Sequence, residues 1–285
     1  MNAADDFEYK LLCDLIQARF GLSFAGSRRE ILAARVRPRL AALHLHSILD
    51  YYHYLRCHPG REAELDRLAA QLTNNETYFF RERHHFDIVV KHVVPGLREA
   101  LRTRPLRALS AGCSSGEEPY SLAIALYEAG LELRGITWEI EGCDLNRDRL
   151  ARARTATYQA GSLRACSPEE RARYFDERGG AYVLRERFRR RVSFFEANLA
   201  EPGALAGRGP YDVVLCRNLL IYFDPQGFDR TVRVLGAVLA PGGYLLLGHS
   251  ESLIDRSHEF VPTWLEGAMV YRKRGADGTA GGEPR

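Results

Sequence analysis

Lysine is almost missing from this chain. Lys10, Lys91 and Lys273 are the only ones, so arginine supplies nearly all of the 40 basic residues that face 37 acidic ones, for a formal net charge of +3. So small an excess leaves no broad electrostatic footprint for nucleic acid. Arginine prefers planar, bidentate partners, so acidic surfaces are natural targets; a biased genomic composition would give the same count. Paired cysteines are missing too: Cys13, Cys57, Cys113, Cys143, Cys166 and Cys216 show no metal-ligand spacing and read as reduced thiols. There is no charged-then-apolar leader, and no apolar run approaches the roughly 20 residues that cross a bilayer. A cytoplasmic protein without membrane insertion is expected, and the sequon Asn75-Glu76-Thr77 then carries little weight.

What is present falls into two patterns. From Asp5 to about Thr73 the periodicity is helical. Phe7, Leu11, Leu15 and Ile16 follow one face of a first helix that Gly21 stops. Ser27 and Glu30 have capping-box spacing before a second helix, with Ile31 and Ala34 expected inward and Arg28, Arg35, Arg37 and Arg39 largely outward. Ser47 caps a third helix carrying Ile48, Tyr51, Tyr52 and Leu55, and Leu65, Leu68, Ala69 and Leu72 mark a fourth. From Leu106 onward, apolar strands alternate with helices, the signature of a parallel sheet with crossovers. The strand candidates are Leu106–Ser110, Thr137–Asp144, Asp212–Cys216 and Tyr244–Gly248, with helices starting near Glu117, Arg147 and Pro225. The fold class expected is α/β, a Rossmann-like doubly wound sheet. A helical N-terminal domain would occupy residues 1–78 and the sheet domain 79–274. An antiparallel β insert at about 160–195 would have its hairpin tip at Gly179-Gly180, after a helix capped by Ser167, and a polar tail at 275–285 is expected to be disordered.

The stretch Leu109–Leu126, "LSAGCSSGEEPYSLAIAL", passes from strand through a glycine turn into a helix. Such a helix start usually welcomes phosphate, because its free N–H groups and dipole are positive. Glu117 and Glu118 stand in that place, so a ligand with a positive amine fits better than a pyrophosphate; a plain helix start with dipole-satisfying acids is the bland alternative. The spacing from Gly112 to Gly116 also departs from the dinucleotide fingerprint.

Further polar residues fall at the carboxyl ends of the strands, where a doubly wound sheet binds its ligand. Asp144 can accept two ribose hydroxyls, or it can cap the helix that follows. Asn198 can meet an adenine edge or serve a turn. Arg217 and Asn218 end an apolar strand at the crevice, or stand in a loop. In "NNETYFFRER", Asn75, Thr77 and Arg81 surround two phenylalanines, and a surface ion pair is the alternative for Arg81.

Together, "NETYFFRE", "SAGCSSGEEPYSLAIA", "CRNLLIYFD" and "PGGYLLLGHSESL" resemble the signatures of the bacterial chemotaxis receptor methyltransferases, the CheR family, from the N-terminal helices to about Arg272. The resemblance implies S-adenosylmethionine as cofactor, S-adenosylhomocysteine as product, and no metal. It implies methyl transfer to glutamate side chains on the cytoplasmic helical domain of chemoreceptors. It places Asn75, Thr77, Arg81, Glu117, Asp144, Asn198, Leu199, Arg217 and Asn218 at the cofactor, in the crevice where the glycine turn puts Gly112, with Glu117 on the amine, Asp144 on the ribose and Glu118 the weaker contact. Where the family often has a second acid, this chain has Asn146.

A glutamate side chain ordinarily titrates near ~4.3 and is ionised at neutral pH, so its methylation needs alignment rather than a base. Arg81 and Arg217 are orientation candidates, and Tyr222 could direct its hydroxyl at the methyl group or pack in the core. His249 is expected to bond to nearby backbone or to Glu251. Arg28, Arg29, Arg35, Arg37 and Arg39 could read an acidic receptor face. A monomer is expected. Two rivals are a nucleic-acid methyltransferase, suggested by Arg185–Arg191, and a non-catalytic signalling adaptor. The first would place an Asn/Asp-Pro-Pro-aromatic motif where Arg217-Asn218-Leu219-Leu220 stands.

Overall fold

Four helices open the chain: α1 (Ala3–Phe20), α2 (Arg29–Ala42), α3 (Ile48–Cys57) and α4 (Arg61–Leu72). The structure, a computed structural model, describes residues 3–24, 26–73 and 76–275, without the side chains of residues 3–5 and Ser27. Asn75, the Ser27 side chain of the expected capping box, and 276–285 of the expected tail lie outside the described residues. Apolar residues spaced three and four apart from all four helices meet in one core, with Leu12, Ile16, Leu32, Val36, Tyr51 and Leu68 fully buried. Ser47 caps α3 as expected, its hydroxyl accepting the Asp50 N–H at 3.0 Å while the Asp50 carboxylate accepts the Ser47 N–H at 3.2 Å. Such a cap is worth about 1 kcal/mol.

Ile16 is buried as expected, but the rest of the inward faces of α1 and α2 is corrected. Phe7 is 61% exposed, and Leu12, Ile16 and Phe20 carry the core. On α2, Ile31 and Ala34 are exposed while Leu32 and Val36 are buried. At 3.6 residues per turn one position rotates a face by about 100°, and this rotation turns two arginines inward. Arg35 donates to the Leu72 carbonyl. Arg39 donates twice to Glu64, at 2.8 and 2.6 Å, and this fully buried carboxylate also accepts the Tyr51 hydroxyl at 2.8 Å. Arg28 reaches across to the Ile221 carbonyl at 3.0 Å, and on α2 Arg37 stays exposed.

The remainder of the chain alternates strands and helices. In order, it contains α5 (His84–Ile88), a π turn at Val89–Val93, α6 (Val94–Gly96), β1 (Leu106–Ala111), α7 (Glu117–Glu128), β2 (Trp138–Asp144) and α8 (Arg147–Thr155). The insert follows: β3 (Thr157–Tyr158), α9 (Pro168–Tyr174), β4 (Phe175–Arg178), β5 (Ala181–Leu184) and α10 (Glu186–Arg189). Then come β6 (Val192–Glu196), β7 (Tyr211–Cys216), α11 (Pro225–Val238), β8 (Leu239–Leu247), β9 (Phe260–Leu265) and β10 (Ala268–Lys273). Seven strands form the main sheet in the order β6-β2-β1-β7-β8-β10-β9, parallel except where β10 meets β8 and β9. Strand order reverses between β1 and β7, the position where such sheets open a crevice for ligand.

Three strand expectations change. β6, read from sequence as part of the insert, pairs in parallel with β2, with Asp144 opposite Glu196. Its alternation of half-buried and exposed residues is that of any edge strand, so pattern alone does not assign its sheet. β8 begins at Leu239 because Pro241-Gly242-Gly243, which reads as a turn, forms a bulge: pairing with β7 jumps from Tyr211–Leu239 to Val213–Tyr244. β9 and β10 complete the sheet beyond the strands expected. The insert is an antiparallel sheet, β3-β5-β4, with Gly179 and Gly180 at its hairpin tip at φ 58° and 80°. All six cysteines are free thiols. Among the described residues, no helix is long and apolar enough to cross a membrane.

Candidate active site

The turn after β1 is shaped by its backbone. Gly112 has φ +79°, and a Cβ there would meet Leu219 Cδ2 at 3.0 Å; its N–H and that of Cys113 both donate to the Cys143 carbonyl, at 2.8 and 2.9 Å. Gly116 caps α7 at φ +89°, where a Cβ would lie 2.9 Å from the Ala153 Cβ. Two non-glycine residues also take left-handed φ at this crevice, Ser114 at 48° and Asn218 at 57°, a conformation that costs energy and is held by its surroundings.

Around this turn lies a cleft of two lobes, about 680 and 470 Å³ counted to their open mouths, which share Gly112, Ser114 and Asn218. The first lobe is mostly apolar: Leu145, Ala197, Leu199, Leu219 and Tyr222 surround the Asp144 carboxylate and Asn198. Its roof comes from the helical domain, as Phe20, Leu22, Leu72 and Thr73. These roof residues carry no motif, and sequence reasoning does not find them. They are fixed by contacts between the domains, including the Ser23 N–H to the Tyr222 carbonyl at 2.8 Å and Gln17 to Asp224 at 2.8 Å. The second lobe is polar, lined by Thr77, Arg81, Glu118 and Arg217.

Asp144 closes β2 and does not cap α8. That cap is Asn146, whose side-chain oxygen accepts the Arg149 N–H at 3.2 Å while its amide donates to Thr73 at 3.3 Å. The Asp144 oxygens accept one N–H each, from Asn146 and Ser114, both at 2.8 Å. A carboxylate has about four acceptor positions, so capacity remains for a ligand. Burial raises its pKa, opposed by those two N–H groups. Asn198 is turned by the Arg19 carbonyl at 2.7 Å and by Glu201 at 3.0 Å, and Leu199 beside it is buried.

The two acids at the start of α7 part company. Glu117 is 1% exposed and lines neither lobe; its oxygens accept the hydroxyls of Ser115 at 2.8 Å and Ser162 at 2.9 Å, tying the insert to the helix start. Burial raises its pKa above the usual carboxylate range. Glu118 faces the polar lobe, held by Ser110 at 2.6 Å and Arg217 at 3.0 Å. Adjacent residues on a helix point about 100° apart, so only one of the pair can face the cleft.

Arg217 directly follows β7 with its side chain almost wholly buried, between Glu118 at 3.0 Å and Glu82 at 3.2 Å. Arg81 lines the same lobe and donates to the Glu76 carbonyl at 3.0 Å. Tyr222 stands in the apolar lobe, away from this polar group. His249 does not bond to Glu251; its Nδ1 lies 2.9 Å from Glu82 Oε1. Glu251 is turned inward, where it accepts the N–H groups of Gly248, Asn218, Leu219 and Leu220 at 2.7 to 2.9 Å and so fixes the turn that carries Asn218. Neither Glu82 nor Glu251 stands out from sequence as a site residue, although both lie inside or beside the quoted motifs. Glu82, His84 and His85 also bring three potential ligand atoms within 4.8 Å of one another, and the cation found beside Glu82 is Arg217.

The family description "CheR methyltransferase, all-alpha domain" matches residues 8–73, and "CheR methyltransferase, SAM binding domain" matches residues 75–265. A probable biofilm formation methyltransferase, WspC, of Pseudomonas aeruginosa is 35% identical over 95% of this chain, which spans 63% of that relative. Chemotaxis protein methyltransferase 1 of Vibrio cholerae is 32% identical over 94% of this chain and 97% of its own length. The chemotaxis protein methyltransferase of Salmonella typhimurium is 34% identical, with 94% and 91% covered. With both family descriptions matched in order along a helical domain and a doubly wound sheet, the chain belongs to the CheR methyltransferase family.

Proposed function

We propose that this protein is a protein-glutamate O-methyltransferase. It transfers a methyl group from S-adenosylmethionine to glutamate side chains on the cytoplasmic helical domain of chemoreceptors and releases S-adenosylhomocysteine. The observation that carries this reading is the division of the cleft. One carboxylate, Asp144, stands in an apolar lobe, and a second, Glu118, stands beside two guanidinium groups in a polar lobe. A nucleoside suits the first, and the charged amino-acid end of the cofactor suits the second.

In this reading Asp144 accepts the ribose hydroxyls, and Asn198, Leu199, Leu219 and Tyr222 enclose the base. Glu118, rather than Glu117, takes the ammonium group. Arg81, Arg217 and Thr77 orient carboxylates of the cofactor or the substrate. Gly112 and Asn218 stand where the lobes join, and the absence of a side chain at Gly112 keeps that junction open. When bound, S-adenosylmethionine supplies an electrophilic methyl group on a sulfonium. The receptor glutamate arrives already ionised, so what the chain contributes is alignment and exclusion of water. The helical domain does part of that work as the roof of the nucleoside lobe. It is also the receptor-facing domain in our reading, with Arg37 the arginine of α2 free to meet an acidic surface; Arg28, Arg35 and Arg39 hold the domain together or to its neighbour.

The test is to incubate the protein with methyl-labelled S-adenosylmethionine and receptor cytoplasmic domains. Label that base treatment releases as methanol supports carboxyl methylation. Base-stable label, or label on nucleic acid in place of receptor, overturns it.

A further inference from the structure

Glu82 lines neither lobe of the cleft, yet it is the point through which the polar lobe is organised. Its Oε2 lies 3.2 Å from Arg217 Nη2 and 3.3 Å from His85 Nδ1, and its Oε1 lies 2.9 Å from His249 Nδ1. The residue takes φ +51°, a left-handed conformation that persists only where surroundings enforce it. Burial raises the Glu82 carboxyl, but the His85 ring close to it, the Arg217 charge and the hydrogen bond to His249 outweigh it and hold the group well below the usual carboxylate range.

Two carboxylates, Glu82 and Glu118, thus share one buried guanidinium. A buried charge left without a partner is strongly unfavourable. If Glu118 were the only counter-ion of Arg217, it could not turn to a ligand's ammonium group without stranding Arg217. The contacts show a reserve on the other side: Arg217 Nε and Glu82 Oε2 are both buried with no hydrogen-bond partner, as is His85 Nδ1 beside the same oxygen, although the Arg217 and Glu82 side chains are 3.2 Å apart at Nη2. A small shift of Arg217 toward Glu82 would satisfy both atoms as Glu118 leaves.

We propose that Glu82 is a positioning residue, the second counter-ion of Arg217, which frees Glu118 to bind the ammonium group of the cofactor's amino-acid end. This rests on the cofactor reading above.

The experiment is calorimetry with two ligands. S-adenosylhomocysteine fills both lobes; 5′-methylthioadenosine lacks the amino-acid part and fills the nucleoside lobe alone. Glu82→Gln keeps the shape and removes the charge. It is expected to weaken S-adenosylhomocysteine at least tenfold and to leave methylthioadenosine within twofold, whereas a merely structural role would weaken both alike. Glu82→Asp retains the charge one methylene further back, and is expected to show a smaller loss with the same selectivity if the Gln variant fails to fold. In an Arg217→Met background, Glu82→Gln is expected to have little further effect, because the charge it balances is gone. Equal losses for the two ligands, or no loss for either, overturn the positioning role while the cofactor reading stands. A wild-type protein that binds neither ligand overturns the cofactor reading, and this inference with it.

Discussion

Replacing each of the two adjacent acids of α7 by glutamine separates the geometry from the motif. Glu118 faces the polar lobe, and its side chain is 15% exposed. Glu118→Gln removes one charge and changes little in shape, and Glu82 still balances Arg217, so the fold should survive. What is lost is a charge-assisted hydrogen bond to the ligand's ammonium group, worth about 1.5–3 kcal/mol. At about 1.4 kcal/mol per tenfold, S-adenosylhomocysteine should bind about 10- to 150-fold more weakly. Glu117→Gln should leave that affinity unchanged, because the Glu117 carboxylate is turned from both lobes toward Ser115 and Ser162, and an amide can bond to both hydroxyls. Its effect is on stability. Burial raises the folded-state pKa of Glu117 above the unfolded value near ~4.3. The folded state therefore binds more protons, and the contribution of Glu117 to stability is complete below ~4.3 and is lost as pH rises through the folded value. The glutamine variant lacks that loss, so its urea midpoint should rise relative to wild type between pH 4 and pH 8. Isothermal calorimetry and urea titration read both quantities. Affinity lost in the Glu117 variant and retained in the Glu118 variant would refute the assignment.

Other outcomes follow from the same geometry. Asp144→Ala removes the ribose acceptor and leaves the Ser114 and Asn146 N–H groups without theirs, so product affinity measured by calorimetry should fall by about 1.5–3 kcal/mol or more. Arg39→Ala removes two hydrogen bonds from the buried Glu64 carboxylate and leaves it the Tyr51 hydroxyl and Arg67 at 3.6 Å, so it should cost about 1.5–3 kcal/mol in thermal or urea unfolding, whereas Arg37→Glu should leave stability nearly unchanged and weaken receptor methylation in a salt-sensitive manner. Glu251→Ala leaves buried N–H groups of the 218–221 turn unpaired, and should lower both the melting temperature and product affinity, since that turn carries Asn218.

Fold and site are legible in the sequence to different depths, for physical reasons. Strands such as Asp212–Cys216 are buried on both faces, and continuous apolar runs between turn signals reveal them. The N-caps at Ser47 and Ser167 are local chemistry, and both are present, each closed into a capping box by the acid three residues on. β6 escapes assignment because a half-exposed edge strand does not encode its partner, and β8 reads too short because Pro241-Gly242-Gly243 forms a bulge where a turn is the ordinary reading. On α2, Leu32 and Val36 compete with Ile31 and Ala34 as apolar pairs, and only packing against α4 decides between them. In the site, the motifs locate the crevice and most of its polar residues. They do not tell which of two adjacent acids faces it, because that depends on where Ser162, more than forty residues later, supplies a hydrogen bond. The roof residues Phe20, Leu22 and Leu72 are ordinary core-like side chains, and nothing in their local sequence marks the domain contact that brings them over Asp144. Proximity in sequence sends His249 to the wrong carboxylate, because Glu251 is two residues away but committed to the backbone of the 218–221 turn.

The central claim is that this cleft places the cofactor for displacement by a receptor carboxylate. The most direct measurement is mass spectrometry of peptides from a receptor cytoplasmic domain after one turnover with the wild-type protein and with Asp144→Ala. The account predicts the mass of one methyl group added at glutamate side chains by the wild type, removed by mild base, and sharply reduced in the variant at subsaturating S-adenosylmethionine. Methylation confined to amines, or an Asp144→Ala protein that modifies the same glutamates at the wild-type rate, would contradict it.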